Sequence, residues 1–581
     1  MAQGPGISAT RRHPETKTLR TNLIRNLSRV GAASLAAAVV LVPTPALAGR
    51  TQESILQDDP QVLGASASRL DEYMGLLKSI GVDRLRVSVL WSNIAPARDS
   101  QVKPAFPAPG PAFPQSYPSN AWRPYDNIVL SARKHRLGLI FTLTGPSPAW
   151  ATPGAHEREG IFRPSTRDFR EFVTAVGTRY SGRYPVDDRF PQEPKGGTPI
   201  AIGPIEVGGT VPAEEAPRLP RVTAWSVWTE PNYPSWLRPI WLENNPRRAR
   251  DMVAAAPHHY RGLVDAAWAG LSDSTHGEDL ILIGETSARG AKRPSQLGDA
   301  MAPAEFTREL YCLKADLTPY AGRDARIRSC PADAAEQRAF RRLHPGLFKA
   351  AGFAHHPYSL DRSGWRVPTW RPRLKDNVPI GNLNHLLRTL DGAAAHWRSQ
   401  EKPMPIWITE YGYQTRPPDP LAGVTLARQG PLSSWGEYLA YRNPRVASIA
   451  QFLAVDDGPV PGFSGRDPRR WISWQSGLYT EDRRPKPSLK DYLRPIHTSQ
   501  RGRAVQVFGG YRQAATGVPL FARIEYSGRN GAWLRLRSLT VRNRRGYFST
   551  GVRVPRAGLL RIRWRNPVNG AMIASRSVSV R

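Results

Sequence analysis

Two glutamates, each closing an aromatic and β-branched run, carry the clearest chemistry in this chain. The first run is Ala224-Trp225-Ser226-Val227-Trp228-Thr229-Glu230-Pro231-Asn232 and the second is Pro405-Ile406-Trp407-Ile408-Thr409-Glu410-Tyr411-Gly412, with the two acids 180 positions apart. Each run has strand composition and stops on a carboxylate followed by turn residues. A carboxylate at the C-terminal lip of a buried strand is poorly placed for stability. In a barrel of parallel strands it is well placed for chemistry, because reactions occur on that lip. Two such acids can break a glycosidic bond, one as proton donor and the other as nucleophile or base.

The elements that must position them alternate between strand and helix from residue 52 to about 495. Strands are expected at 53–56, 84–90, 137–143, 222–228, 280–283, 350–354, 405–409 and 446–454. Between them lie helical patterns, such as Leu70, Tyr73, Met74, Leu77 and Ile80 at 3.6-residue spacing, and the amphipathic Phe169, Phe172, Val173, Val176, Tyr180 behind the N-capping pair Ser165-Thr166. Further helices are expected near 125–132, 248–267, 306–313, 383–397 and 435–441. Eight such units make a (β/α)₈ TIM barrel with long insertions at 103–124, at 184–220 and around the cysteines. An open doubly wound sheet is disfavoured, since no Gly-rich phosphate loop follows any strand. After Pro495 the pattern changes to short alternating runs at 505–508, 518–526, 532–539, 551–554, 559–564 and 573–580, an all-β sandwich domain assigned to 503–581.

With these strands placed, residues 52–495 resemble the clan of retaining glycoside hydrolases built on (β/α)₈ barrels, which includes family 5 cellulases and family 39 xylosidases and iduronidases. The resemblance rests on Glu230 ending strand four and Glu410 ending strand seven, the clan's acid/base and nucleophile positions. It rests also on Arg86 in Arg86-Val87-Ser88-Val89-Leu90-Trp91, on His356-Pro357-Tyr358 after strand six, and on Trp474-Gln475-Ser476-Gly477-Leu478-Tyr479 near the barrel's end. It implies that Arg86, His356 and Tyr358 support the nucleophile, and that no metal or organic cofactor takes part. One position departs from the pattern: the clan's Asn before the acid/base is Thr229 here, a shorter side chain with a single donor. Glu285, in Gly284-Glu285-Thr286-Ser287, is a rival acid at the end of strand five with small neighbours. Trp91, Trp150, Trp236, Trp241 and Trp474, at strand ends or in the loops after them, are candidates for stacking on sugar rings, with Asn232 beside the acid/base.

The reading from these residues is an exported retaining glycosidase in which Glu410 attacks and Glu230 transfers the proton. A second reading is a catalytically silent glycan-binding protein of the cell surface that uses the same cleft. Arg86 is expected to keep Glu410 ionised, and Trp225 and Trp228 to raise Glu230. The partner is an oligo- or polysaccharide, the chain is expected to be a monomer, and a nucleic-acid partner is set aside because recognition motifs are absent.

Composition places the chain outside the cell. Six basic residues between Arg11 and Arg29 precede the apolar stretch 30–42, and Ala46-Leu47-Ala48 supplies a cleavage site, so residues 1–48 read as a signal peptide that leaves no transmembrane anchor after processing. The only cysteines, Cys312 and Cys330, stand 18 positions apart, which in an exported protein favours a disulfide. The formal net charge is +33, and residues 501–581 hold 17 arginines, no lysine and the single acid Glu525, a surface suited to an anionic cell-surface polymer. N-terminal sequencing of secreted protein should therefore find a chain starting near Gly49; material that still begins at Met1 would reject cleavage.

Overall fold

Eight parallel strands close into a barrel in the computed structural model, which describes residues 49, 51–154, 159–186, 217–244, 252–291, 298–399, 403–465, 467–514, 518–528 and 531–581. The expected signal peptide, most of the expected 184–220 insertion and the expected helix start at 248 lie outside these residues. The barrel strands are β1 (Glu53–Gln57), β2 (Arg84–Leu90), β3 (Gly138–Thr144), β4 (Ala224–Val227), β5 (Leu280–Ser287), β6 (Gly352–His356), β7 (Ile406–Ile408) and β8 (Val446–Phe452). They run in sequential order around the barrel, which closes where β1 pairs with β8 from Glu53↔Ser448 to Gln57↔Phe452. The strands are almost continuously buried, as expected when helices cover one face and the barrel interior fills the other. Every strand lies where the sequence pattern placed it, within a few residues.

The helices follow the apolar periodicity. Ser165 caps the helix Thr166–Arg179 by accepting from the Asp168 N–H at 3.3 Å, and Phe169, Phe172, Val173 and Val176 of that helix are buried. Three boundaries differ, one being the helix expected near 435–441, which already begins at Leu426. The segment expected as loop at 103–124 already contains the start of the helix Ser119–His135, because Trp122 and Tyr125 pack into the core. The helix expected from 248 begins instead at Ala256, with Pro257 in its first turn, and Met252–Ala254 just before it is a short strand paired with Trp241–Glu243. Cys312 and Cys330 are joined, as expected, closing the segment ahead of β6. No helix among the described residues is long and apolar enough to cross a membrane.

The C-terminal domain packs a three-stranded antiparallel sheet on a five-stranded one. Its strands are β9 (Ile496–Arg501), β10 (Ala504–Gly509), β11 (Leu520–Ser527), β12 (Trp533–Val541), β13 (Phe548–Arg553), β14 (Gly558–Arg565), β15 (Met572–Ala574) and β16 (Val578–Val580). Both sheets feed one apolar core that includes Val505, Val507, Ile524, Ile562 and Trp564. β9 precedes the boundary expected at 503. Its polar run His497-Thr498-Ser499-Gln500 hides a strand that buries only Ile496. The single strand expected at 573–580 is two, interrupted where Ser575 accepts from the Ile562 N–H (3.0 Å) and Arg576 turns to Asp491 (2.8 Å).

Sandwich and barrel belong to one compact unit. The helix Leu426–Arg442 offers Tyr438 and Tyr441 to Phe508 and Tyr547 of the sandwich, forming a buried aromatic cluster. Beside it, Glu437 accepts from Arg512 at 2.7 Å and from the Tyr547 hydroxyl at 2.5 Å, with both charged side chains only 5% exposed. Gly81 makes the close approach possible, since a Cβ there would lie 2.2 Å from the Arg512 carbonyl. Breaking a buried pair from one side leaves an uncompensated charge. Arg512→Ala should cost about 3–5 kcal/mol in denaturant unfolding, and barrel and sandwich should still unfold in one transition. Two separate transitions in the unaltered chain would show that the interface does not couple them.

Candidate active site

Three strand ends meet at the C-terminal face of the barrel, and each carries a carboxylate. After β4, Trp228 and Glu230 hold positive φ angles of 58° and 37°, a region seldom used by residues other than glycine. The Trp228 indole donates to the Trp236 carbonyl at 3.0 Å. Its ring covers Gly145, where a Cβ would lie 2.6 Å from the indole. The Glu230 N–H donates to the Glu285 carbonyl of β5 at 3.0 Å, so one strand end fixes the backbone of the next. Glu410 follows β7, and the Thr409 N–H ahead of it donates to the His355 carbonyl at 3.3 Å.

His356, the last residue of β6, stands between the two acids. Its Nδ1 lies 3.0 Å from Glu230 Oε1 and 3.4 Å from Glu410 Oε2. One oxygen of each acid and this nitrogen all fall within 4.8 Å of one another. Arg86 rises from β2 beneath them, wholly buried. Its Nη1 donates to Glu410 Oε1 at 2.9 Å and to Gln57, while Nε and Nη2 hold both oxygens of Glu285 and Nη2 also reaches Thr229 Oγ1 at 2.5 Å. The Tyr358 hydroxyl donates to Glu410 Oε2 at 3.1 Å. Each oxygen of Glu410 therefore has its own donor.

Burial and charge act against each other here. Burial pushes the Glu410 carboxyl above its ordinary range; His356 and Arg86 pull it down, Glu230 and Glu285 add to the rise, and the rise wins. Arg86 acts on Glu410 in the expected direction, together with His356, and the two are outweighed by burial. Burial would lower His356, but Glu410 and Glu230 outweigh it and the imidazole is pushed up. Glu285 would also be raised by burial, yet Arg86 holds it below the usual carboxylate range. The neighbouring His355 lacks acidic partners, and burial pushes it down to about 4, so it is a neutral structural residue bonded to Thr286 and the Val378 carbonyl.

Glu230, Glu410, Thr229, Trp236, Tyr358 and Trp474 line a cleft of about 360 Å³, with Arg86 and His356 supporting it. Tyr358 and Trp474 pack at 5.3 Å between ring centroids and, with Phe452, make an aromatic wall. Other expected residues sit elsewhere. Trp91 is fully buried and stacks on Phe172 at 5.6 Å, so it is core rather than a sugar platform. Trp150 packs edge-on against Trp91 and donates to the Pro96 carbonyl, and Trp241 is buried with its indole bonded to the Asp299 carbonyl. Asn232 is buried and ties the Ser287 N–H to the Met301 carbonyl, holding the loop after β5 instead of facing the cleft. Asp59, Tyr233, Arg289 and Asp457 line the cleft without having been singled out from sequence. Asp59 and Asp457 follow β1 and β8, so the strand-end rule that found Glu230 would have found them too.

Glu230, His356 and Glu410 present two oxygens and a nitrogen at metal-binding spacing. The guanidinium already seated on Glu410 repels a cation, which makes this a poor cradle for one. The sulfurs of the other candidate set, His258 with Cys312 and Cys330, are joined to each other.

No family model matches the chain, and no curated protein matches it. Among solved structures it is similar to a glucosidase from Croceicoccus marinus (10% identity over 87% of this chain and 94% of that one, TM-score 0.42). It is similar also to a monomeric β-xylosidase from Caulobacter crescentus CB15 (11% identity, 88% and 95% covered, TM-score 0.42) and to β-glucosidase 2 from the fungus Trichoderma reesei (15% identity, 76% and 97% covered, TM-score 0.41).

Because His356 pulls the Glu410 carboxyl down, His356→Gln should raise the Glu410 titration midpoint, by about one pH unit or more. NMR of protein carrying ¹³Cδ-labelled glutamate, with the signal assigned by its loss in Glu410→Gln, reads this directly; an unchanged or lowered midpoint would contradict the charge arrangement.

Proposed function

We propose that this protein is a retaining glycoside hydrolase in which Glu410 is the nucleophile and Glu230 the acid/base. The observation that carries the reading is the pair of carboxylates on one barrel lip, with one oxygen of each no more than 4.8 Å from the other. Retaining enzymes hold their carboxyls about 5–5.5 Å apart, whereas inverting ones leave about 6.5 Å or more for a water. The aromatic wall suits the apolar faces of a sugar ring, and the polar lip suits its hydroxyls.

In the first step Glu410 attacks the anomeric carbon while Glu230 gives its proton to the departing oxygen. The products are a glycosyl ester on Glu410 and the free leaving group. In the second, Glu230, now ionised, takes a proton from water as the water oxygen attacks the same carbon, and Glu410 is released. Arg86 and Tyr358 orient the attacking carboxylate and accept its changing charge. His356, bonded to Glu230, keeps the second acid within reach of both steps.

We extend the proposal to an exported protein that acts on an oligo- or polysaccharide. The joined cysteines fit an oxidising compartment. The arginine-rich sandwich, with 17 arginines against one acid after residue 500, fits retention on an anionic polymer.

The glutamates provide the test. Glu410→Ala should abolish hydrolysis of every glycoside, because no covalent intermediate forms. Glu230→Ala should keep the first step for aryl glycosides with good leaving groups, and added azide should restore turnover as a glycosyl azide of retained configuration. Failure of the unaltered protein to hydrolyse any of a broad aryl-glycoside panel, while still binding glycans, would favour the silent binding reading.

A further inference from the structure

Glu285 is the third carboxylate of the barrel end and has no part in the steps above. It is completely buried and does not line the cleft, so it touches no substrate. The chain nonetheless distorts itself to place it there. The pairing of β5 with β6 shifts register between Ile283 and Thr286, and the two residues that face the single Ala354 across this bulge, Gly284 and Glu285, have φ of 103° and 42°. A side chain at position 284 would meet the Phe353 ring at 2.7 Å, so only glycine fits the bulge.

What the bulge delivers is a partner for Arg86. The guanidinium turns its two-nitrogen edge, Nε and Nη2, to both oxygens of Glu285 and leaves only Nη1 for Glu410. Thr229 Oγ1 donates to Glu285 at 3.0 Å and Thr142 Oγ1 at 3.3 Å, which fix the carboxylate in that pose. A bidentate pair is the strongest arrangement open to an arginine. Its charge is thus largely answered before Glu410 is reached.

We propose that Glu285 is a positioning residue that binds Arg86 away from Glu410 and so sets the pH range in which Glu410 is ionised and able to attack. The proposal rests on the reading of Glu410 as the attacking group. The charged and titratable groups facing Glu410 are Arg86 from β2, Glu230 from the β4 lip, and His356 and Tyr358 from β6 and the loop after it. Glu285 acts on it through Arg86 and through its own charge, while Asp59 and Asp457 line the same cleft. With Glu285 ionised, Arg86 must balance two carboxylates; with Glu285 neutral, it has only Glu410. Removing the charge at 285 therefore favours the ionised form of Glu410, and its midpoint falls.

The test compares unaltered protein with Glu285→Gln and Glu285→Asp. Glutamine keeps the shape and an acceptor for Arg86 but removes the charge, whereas aspartate keeps the charge and withdraws it. In ¹³Cδ-glutamate NMR the Glu410 midpoint should fall by about one pH unit or more in the Gln variant and by less in the Asp variant. The acidic limb of kcat/KM should move to lower pH by the same amount. A folded Glu285→Gln protein with an unmoved Glu410 midpoint overturns the proposal, since a purely structural residue replaced by its isostere would leave that midpoint in place. Should Glu285→Gln not fold, an unmoved midpoint in Glu285→Asp does the same. If the NMR midpoint falls while the limb of the rate profile stays, Glu285 tunes Glu410 as proposed but Glu410 is not the attacking group.

Discussion

One guanidinium organises the C-terminal end of this barrel. Arg86 enters from β2, lies wholly out of water, and must have its charge met by the protein. An isolated buried cation is far too costly to persist. The requirement draws Glu285 from β5, Glu410 from β7, Thr229 from β4 and Gln57 from β1 to a single side chain. The bulge in β5 brings Glu285 to that charge, and the lip of β4 brings Thr229 to it. The cleft is the space left above the network once its bonds are made.

Much of this was legible because barrels write themselves in period. Eight β-branched or apolar runs, each followed by a helical stripe, locate the strands, and acids that end such runs stand out. Glu230 and Glu410 are located that way and Arg86 by the resemblance; Arg86 bonds Glu410, and His356 stands between Glu410 and Glu230. What sequence could not separate were residues whose type is identical and whose surroundings differ. His355 and His356 are adjacent, yet one is a strut bonded to Thr286 and the Val378 carbonyl and the other lies between two acids, because alternate strand residues point to opposite faces. Trp91 and Trp236 both follow strands, yet one is sealed against Phe172 and the other lines the cleft. Glu285 looked like a weaker copy of Glu410. Its backbone bulge, invisible in a linear pattern, turns it inward as a counter-charge.

The sandwich was legible in outline for a different reason. Its alternation of apolar and polar residues reports two sheets with one shared core, but the pattern is silent on what lies between sandwich and barrel. Glu437 and Arg512 stand 75 positions apart, and neither segment names the other as a partner. Only in the fold do they become a buried pair, framed by Tyr547 and by the aromatic cluster around Phe508. Contacts between distant segments are set by three-dimensional closure, and no local period encodes them.

Trp228, Glu230 and Glu285 each hold a left-handed backbone with a full side chain attached, at a cost of about 1 kcal/mol or more apiece. Glycine would relieve that cost at every one of the three positions, and would delete an indole, an acid and a counter-charge in doing so. Heat tolerance and the shape of the cleft are therefore opposed at these residues. A search for more thermostable variants that scores melting temperature alone will be drawn to the very positions where the barrel is least comfortable, and each gain there will be taken from the site.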